Sequence, residues 1–145
     1  MADTLAAGVL DASVAIKIVV PEVGTPESLA AFERPLRWLA PRLMTVEVAS
    51  ALRQKVAGQA LSAVDAAAAL AATLDAVADG VIDLADDEAL VAAALSLALT
   101  LEHKVPDCLY LALAEREGAL LASADRKLVS LAGRRGVEGI AIPPA

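Results

Sequence analysis

Short apolar runs alternate with segments of helical period along this chain. Residues 6–11 (AAGVLD) read as a buried strand, and Ser13 then offers an N-cap for a short helix, SVAIKIVV, which Pro21 and Gly24 end. TPESLAAFER carries a helix start in Thr25, Pro26 and Glu27, and RWLA at 37–40 reads as a second strand before Pro41. From 42 to 57 the apolar positions Leu43, Met44, Val48, Ala51, Leu52 and Val56 keep helical spacing up to Gly58. Ser62 to Ala78 forms the second helix of a pair. VIDL at 81–84 predicts a third strand, after which Asp86 or Asp87 caps an almost wholly apolar helix running to about Glu102. Pro106 and Asp107 open another apolar helix to Glu117, and Gly118 stops it. ALLASA at 119–124 is a strand, a basic helix covers 126–134, and GIAI before Pro143 reads as a last strand. Alternation of this kind predicts an α/β fold: a parallel sheet with helices on both faces, whose ligands gather beyond the carboxyl ends of the strands.

The length of 145 residues fits one domain spanning 1–145. With 58% hydrophobic but only 2% aromatic residues, the core is expected to consist of Ala, Leu, Val and Ile. A mean hydropathy of +0.63 is high enough to imply apolar surface reserved for a partner, chiefly on helices 62–78 and 89–101. The longest apolar stretch, residues 89–101, lies between Glu88 and Glu102 and falls short of the roughly 20 residues that span a bilayer. The N-terminus has no basic region before its apolar run, and Asp11 breaks that run, which argues against a signal peptide. The expectation is a cytoplasmic protein with no membrane association. Cys108 is alone, so it makes no internal disulfide and reads as a packing residue.

A net charge of −7 disfavours broad electrostatic attraction to nucleic acid. Any polyanion must be met locally, by cations such as Lys17, Arg42, Arg53, Lys55, Arg126, Lys127, Arg134 and Arg135, or by bound divalent ions.

Four carboxylates stand where such a fold gathers its strand ends. Asp11 closes the run GVLD, Glu47 lies inside TVEVASAL, Asp107 opens DCLYLALAE, and Asp125 follows LLASA. Asp11 and Asp125 follow strands directly, Asp107 lies in a first helical turn, and Glu47 borders the stripe of Met44, Val48 and Leu52. Carboxylates converging there would raise one another's pKa values unless Mg²⁺ or Mn²⁺ neutralised them. Each has an ordinary alternative: Asp107 and Asp125 as N-caps, Asp11 as a turn residue, Glu47 as a surface partner of Arg42 or Lys55, and Ser13 as a plain cap. The coincidence of all four with their elements favours a shared metal site.

VLDASVAIKIVVPE, APRLMTVEVASALRQ, PDCLYLALAE and LLASADRKL stand in the order and contexts of the PIN-domain ribonucleases, and the chain resembles most closely the VapC toxins of bacterial toxin–antitoxin pairs. That resemblance implies a three-layer α/β/α sandwich around a parallel sheet. It implies a type II toxin that hydrolyses RNA with Mg²⁺ or Mn²⁺. Catalytic and metal-holding acids map to Asp11, Glu47, Asp107 and Asp125, with Ser13 as an auxiliary polar group. The partners it implies are RNA, a cognate antitoxin and a second copy of the chain. The chain departs from the family pattern in VPDC around Asp107, in Ser50 where Asn is frequent, and in Ser123 where Thr is commoner.

A ribonuclease of paired histidines is disfavoured because His103 is the only histidine, near a helix C-terminus where it meets the dipole. A haloacid-dehalogenase-type phosphatase needs a second Asp two residues after the first, where this chain has Ser13. A receiver domain expects an acidic pair after the first strand. The alternative of another class is a non-catalytic protein-interaction module with a degenerate acidic pocket.

Overall fold

The computed structural model describes residues 5–144. Its elements run β1 (Ala7–Leu10), α1 (Ala12–Val19), α2 (Thr25–Phe32), β2 (Arg37–Pro41), α3 (Leu43–Ala57), α4 (Ala63–Ala78), β3 (Ile82–Ala85), α5 (Val91–Leu101), α6 (Val105–Glu117), β4 (Leu120–Ser123), α7 (Arg126–Arg134) and β5 (Gly139–Ala141). The strands pair in parallel in the order β3-β2-β1-β4-β5.

Parallel neighbours require crossovers, and right-handed crossovers place α1–α4 on one face of the sheet and α5–α7 on the other. Accordingly α1 packs on α2, α3 and α4, while α5 packs on α6, and α6 lies across β1, β2 and β4. The result is the α/β/α sandwich. The chain steps outward from β1 to β2 to β3 and then returns to lay β4 on the other side of β1. The order therefore reverses between β1 and β4, and the loops that diverge from this point open a crevice at the carboxyl ends of those two strands.

Burial follows from the layers. Residues 8–10 of β1 and all of β4 are buried, because a sheet covered on both faces needs continuous apolar strands rather than alternating ones. Helix α6 is buried from Cys108 to Ala114, since it lies between α5 and the sheet. Leu10, Met44, Tyr110, Leu113, Leu121 and Leu128 are among the fully buried side chains. Each such aliphatic side chain contributes about 1.5–3 kcal/mol relative to exposure. At Gly8 a Cβ would stand 2.7 Å from the Trp38 ring, so only glycine lets β1 pass that indole.

Two helix starts differ from expectation. Helix α1 begins two residues earlier than the Ser13 cap predicts, with Asp11 at the N-cap and Ser13 inside the helix. Helix α5 begins at Val91, not at an Asp86 or Asp87 cap. The Asp87 carboxylate instead accepts the Leu43 N–H at 3.2 Å, at the start of α3, and Asp86 accepts the Glu88 N–H. With both aspartates bonded elsewhere, Leu90 takes the N-cap position.

Among the described residues no helix is long and apolar enough to cross a membrane. The expectation about a leader rests partly on residues 1–4, which lie outside the described residues.

Candidate metal centre

Strand ends and helix starts bring the acids together. Asp11 leaves β1 at the switch point, where its N–H continues the ladder to the Ala122 carbonyl and its own carbonyl starts α1 by accepting from Val14 and Ala15. Its side chain is buried and caps nothing. Two hydroxyls serve it instead: Ser123 donates to Asp11 Oδ2 at 2.6 Å and Ser13 donates to the same atom at 3.1 Å. Ser13 Oγ accepts the Ala124 N–H and Ser123 Oγ accepts the Asp125 N–H, both at 3.0 Å. Two of these bonds, Ser123 to Asp11 and Ala124 to Ser13, cross between the β4–α7 turn and the β1–α1 turn and tie them together. Ser13 is therefore a link to Asp11 rather than a helix cap.

Asp125 is the helix cap considered for it, and it leaves one oxygen free of that task. Its Oδ1 caps α7 by accepting the Lys127 and Leu128 N–H groups at 2.9 and 3.2 Å, while Oδ2 faces His103 at 3.9 Å. Asp107 is not a cap, because Lys104 holds that position in α6. Its Oδ2 lies 2.8 Å from His103 Nε2 and 3.9 Å from Lys104 Nζ. Glu47, half-buried beside Met44 and Val48, accepts the Tyr110 hydroxyl at 2.5 Å. Lys55, once a possible partner for it, is bonded to Glu22.

All four acids line one cleft of about 270 Å³ together with Ser13 and Lys104. Burial pushes the Asp11 carboxyl above its usual range; the bonds from Ser123 and Ser13 oppose this, and the charge of Asp107 adds to it. Burial likewise pushes Glu47 up; the Tyr110 hydroxyl opposes it, Asp11 and Asp107 reinforce it, and Lys104 pulls the other way. Tyr110 is raised by burial and by the same two carboxylates, Asp11 and Glu47, so its phenol stays protonated and donates. The positive ends of α1, α6 and α7 offset part of this negative charge. A divalent cation would offset far more.

The donors suit such an ion. Carboxylate oxygens on separate elements are hard ligands of the kind Mg²⁺ and Mn²⁺ take. One ligand atom each from His103, Asp107 and Asp125 also lie within 4.8 Å of one another.

Sequence reasoning missed three neighbours of this cleft. His103, expected to interact with a helix dipole, turns its side chain to Asp107; the i,i+4 spacing of the two was the available signal. Tyr110 is buried, and its hydroxyl reaches Glu47. Lys104 stands at the rim, 77% exposed. Conversely Lys17, a candidate phosphate contact, is buried and bonded to Glu22 and to the Val23 carbonyl.

No curated protein sequence matches the chain. Among solved structures, the crystal structure of PAE2754 from Pyrobaculum aerophilum matches it with a TM-score of 0.70 at 17% identity, covering 92% of this chain and 83% of that one. This likeness shows a common fold. The family model of the PIN domain matches residues 8–134, which reach from β1 to the end of α7 and include every acid of the cleft. The chain therefore belongs to the PIN domain family, whose fold is that of nucleases that typically hold divalent metals.

Proposed function

We propose that the protein is a metal-dependent endoribonuclease, the toxin of a VapC-type toxin–antitoxin pair. The observation that carries this reading is the convergence of Asp11, Glu47, Asp107 and Asp125 on one cleft at the switch point of the sheet. Asp11, Asp107 and Asp125 would hold Mg²⁺ or Mn²⁺, with Glu47 joining directly or through water. When bound, the ion supplies an acidified water and charge neutralisation at the scissile phosphate.

The chain's own groups do the rest. Ser13 and Ser123 fix the Asp11 carboxylate, so its orientation does not depend on substrate. The Tyr110 hydroxyl occupies Glu47 Oε1, leaving Oε2 to accept a hydrogen bond from the attacking water and orient it. Lys104 at the rim offers a positive charge to an entering phosphate. A larger cleft of about 500 Å³ continues from Ser13, Ala51 and Asp125 toward Gln54 and Lys55, with room for flanking nucleotides. Trp38 and Tyr110 are buried and Phe32 half-buried, so recognition rests on shape and phosphate contacts rather than base stacking.

A protein partner is supported by apolar side chains left in solvent. Val91, Leu95 and Leu99 share one side of α5 at 47, 50 and 73% exposure, and Val64 and Leu74 are exposed on α4. We assign this surface to the antitoxin and to self-association as a homodimer.

The test is RNA cleavage by protein freed of any partner. Cleavage is expected with Mg²⁺ or Mn²⁺ and not in chelator, and Asp11→Asn or Asp107→Asn is expected to abolish it without unfolding the chain. Undiminished cleavage in chelator would overturn the mechanism. Mass measurement alone and after co-expression with the neighbouring gene product tests the partners, and a strict monomer that binds nothing would defeat that part.

A further inference from the structure

We propose that His103 is a nitrogen ligand of the ion held in this cleft, making the centre a mixed imidazole–carboxylate site that prefers Mn²⁺ to Mg²⁺. The inference rests on the metal-dependent reading and adds to it a residue that sets metal choice. His103 Nε2 stands 2.8 Å from Asp107 Oδ2 and 3.9 Å from Asp125 Oδ2. Donor atoms that would share one ion at ligand distances of about 2.0–2.1 Å stand no more than about 4 Å apart. Both spacings suit a single ion.

The imidazole is held in place. Its side chain is only 7% exposed. Glu102 closes α5 in the left-handed conformation, with φ 52°, and the His103 N–H then bonds the Ala98 carbonyl at 3.1 Å. Lys104 immediately begins α6 as its N-cap. A turn this short between two packed helices leaves the ring little freedom, and the i,i+4 spacing sets it over Asp107.

Chemistry then sets the preference. Mg²⁺ demands oxygen ligands and near-ideal octahedral geometry, whereas first-row transition ions accept imidazole readily and bind nitrogen donors more tightly. A structural role in which His103 merely orients Asp107 by a hydrogen bond would confer no such discrimination.

Because the chain holds one histidine, ¹⁵N-histidine labelling yields a single imidazole signal. Titration of the full chain with Zn²⁺, a diamagnetic probe, is expected to shift the Nε2 resonance strongly and Nδ1 little. By calorimetry, His103→Asn is expected to weaken Mn²⁺ binding about tenfold or more while changing Mg²⁺ binding far less. A Zn²⁺ complex seen by calorimetry with the ring resonances unmoved, or equal losses for Mn²⁺ and Mg²⁺, overturns the role of His103 and leaves the metal-dependent nuclease standing. Absence of any divalent-ion binding overturns both.

Discussion

The Tyr110 hydroxyl donates to Glu47 Oε1 at 2.5 Å, so a phenol buried within α6 fixes the orientation of an acid carried by α3. The bond spans the crevice between the two faces of the sheet. Tyr110→Phe keeps the ring's packing and removes only the donor. A hydrogen bond to a charged group contributes about 1.5–3 kcal/mol, and losing it should also let the Glu47 carboxyl rise further. The expected outcome is a stability loss of that size by urea titration and a cleavage rate about tenfold lower; an unchanged rate would mean that Glu47 needs no fixing.

Asp11 and Glu47 predict an unusual pH dependence in chelator. Both carboxyls are raised, so the folded protein binds their protons more tightly than the unfolded chain does. That stabilisation is complete below the ordinary values of 3.8 and 4.5 and is lost as pH rises through the raised folded values. Relative to Asp11→Asn, wild type should therefore lose stability as pH climbs through this window, and the variant should be the more stable at neutral pH. Thermal melts of the two in chelator decide it, and the opposite trend refutes it.

Metal should reverse that order. Mn²⁺ at about one hundred times its Kd should stabilise wild type by about 2.7 kcal/mol at neutral pH. Asp11→Asn should gain far less, because it lacks one of the charged oxygens. Equal shifts in melting temperature would place the ion elsewhere.

Ser123 is fully buried and serves two groups, donating to Asp11 and accepting from the Asp125 N–H. Ser123→Ala leaves both without that partner and is expected to cost about 2–3 kcal/mol by denaturant titration and to reduce cleavage. Ser13→Ala breaks a longer bond from a half-buried residue and should cost less stability. The reverse ranking would show that the Ser13 link, not the Ser123 link, holds the two turns together.

Away from the acids, Lys17 bonds Glu22 Oε1 at 3.2 Å and the Val23 carbonyl at 2.7 Å. Burial pushes Glu22 up, but the ammonium groups of Lys55 and Lys17 outweigh it and hold the carboxyl below its usual value. This stabilisation is present above the ordinary carboxylate range and fades as pH falls through the depressed value. Lys17→Met retains the buried stem and loses the charge while Lys55 stays paired with Glu22, so it should cost about 1–2 kcal/mol at neutral pH and less in acid. Melts at both pH values measure it; a cost that grows in acid would refute the pairing.

Periodicity and capping chemistry are local, so the run of elements was legible in the residues themselves. Asp11 and Asp125 could be assigned to strand ends because each directly follows an apolar run, and Gly118 could be read as a helix stop because glycine readily takes the left-handed conformation that ends helices, as its φ of 60° shows. Where a polar side chain found a distant partner, local reading failed: Asp86 or Asp87 was expected to cap α5, yet the Asp87 carboxylate serves Leu43, 44 residues away. The strand order was likewise beyond local reach, and that order sets β1 against β4 and so brings Asp11 beside Ser123, 112 residues apart. Glu47 and Tyr110 meet across 63 residues for the same reason. Sequence determined which groups stand at the ends of elements, because backbone propensity and apolar spacing act over a few residues. Tertiary structure alone decided which of them touch, because side-chain direction is set by packing between elements that chain distance does not relate.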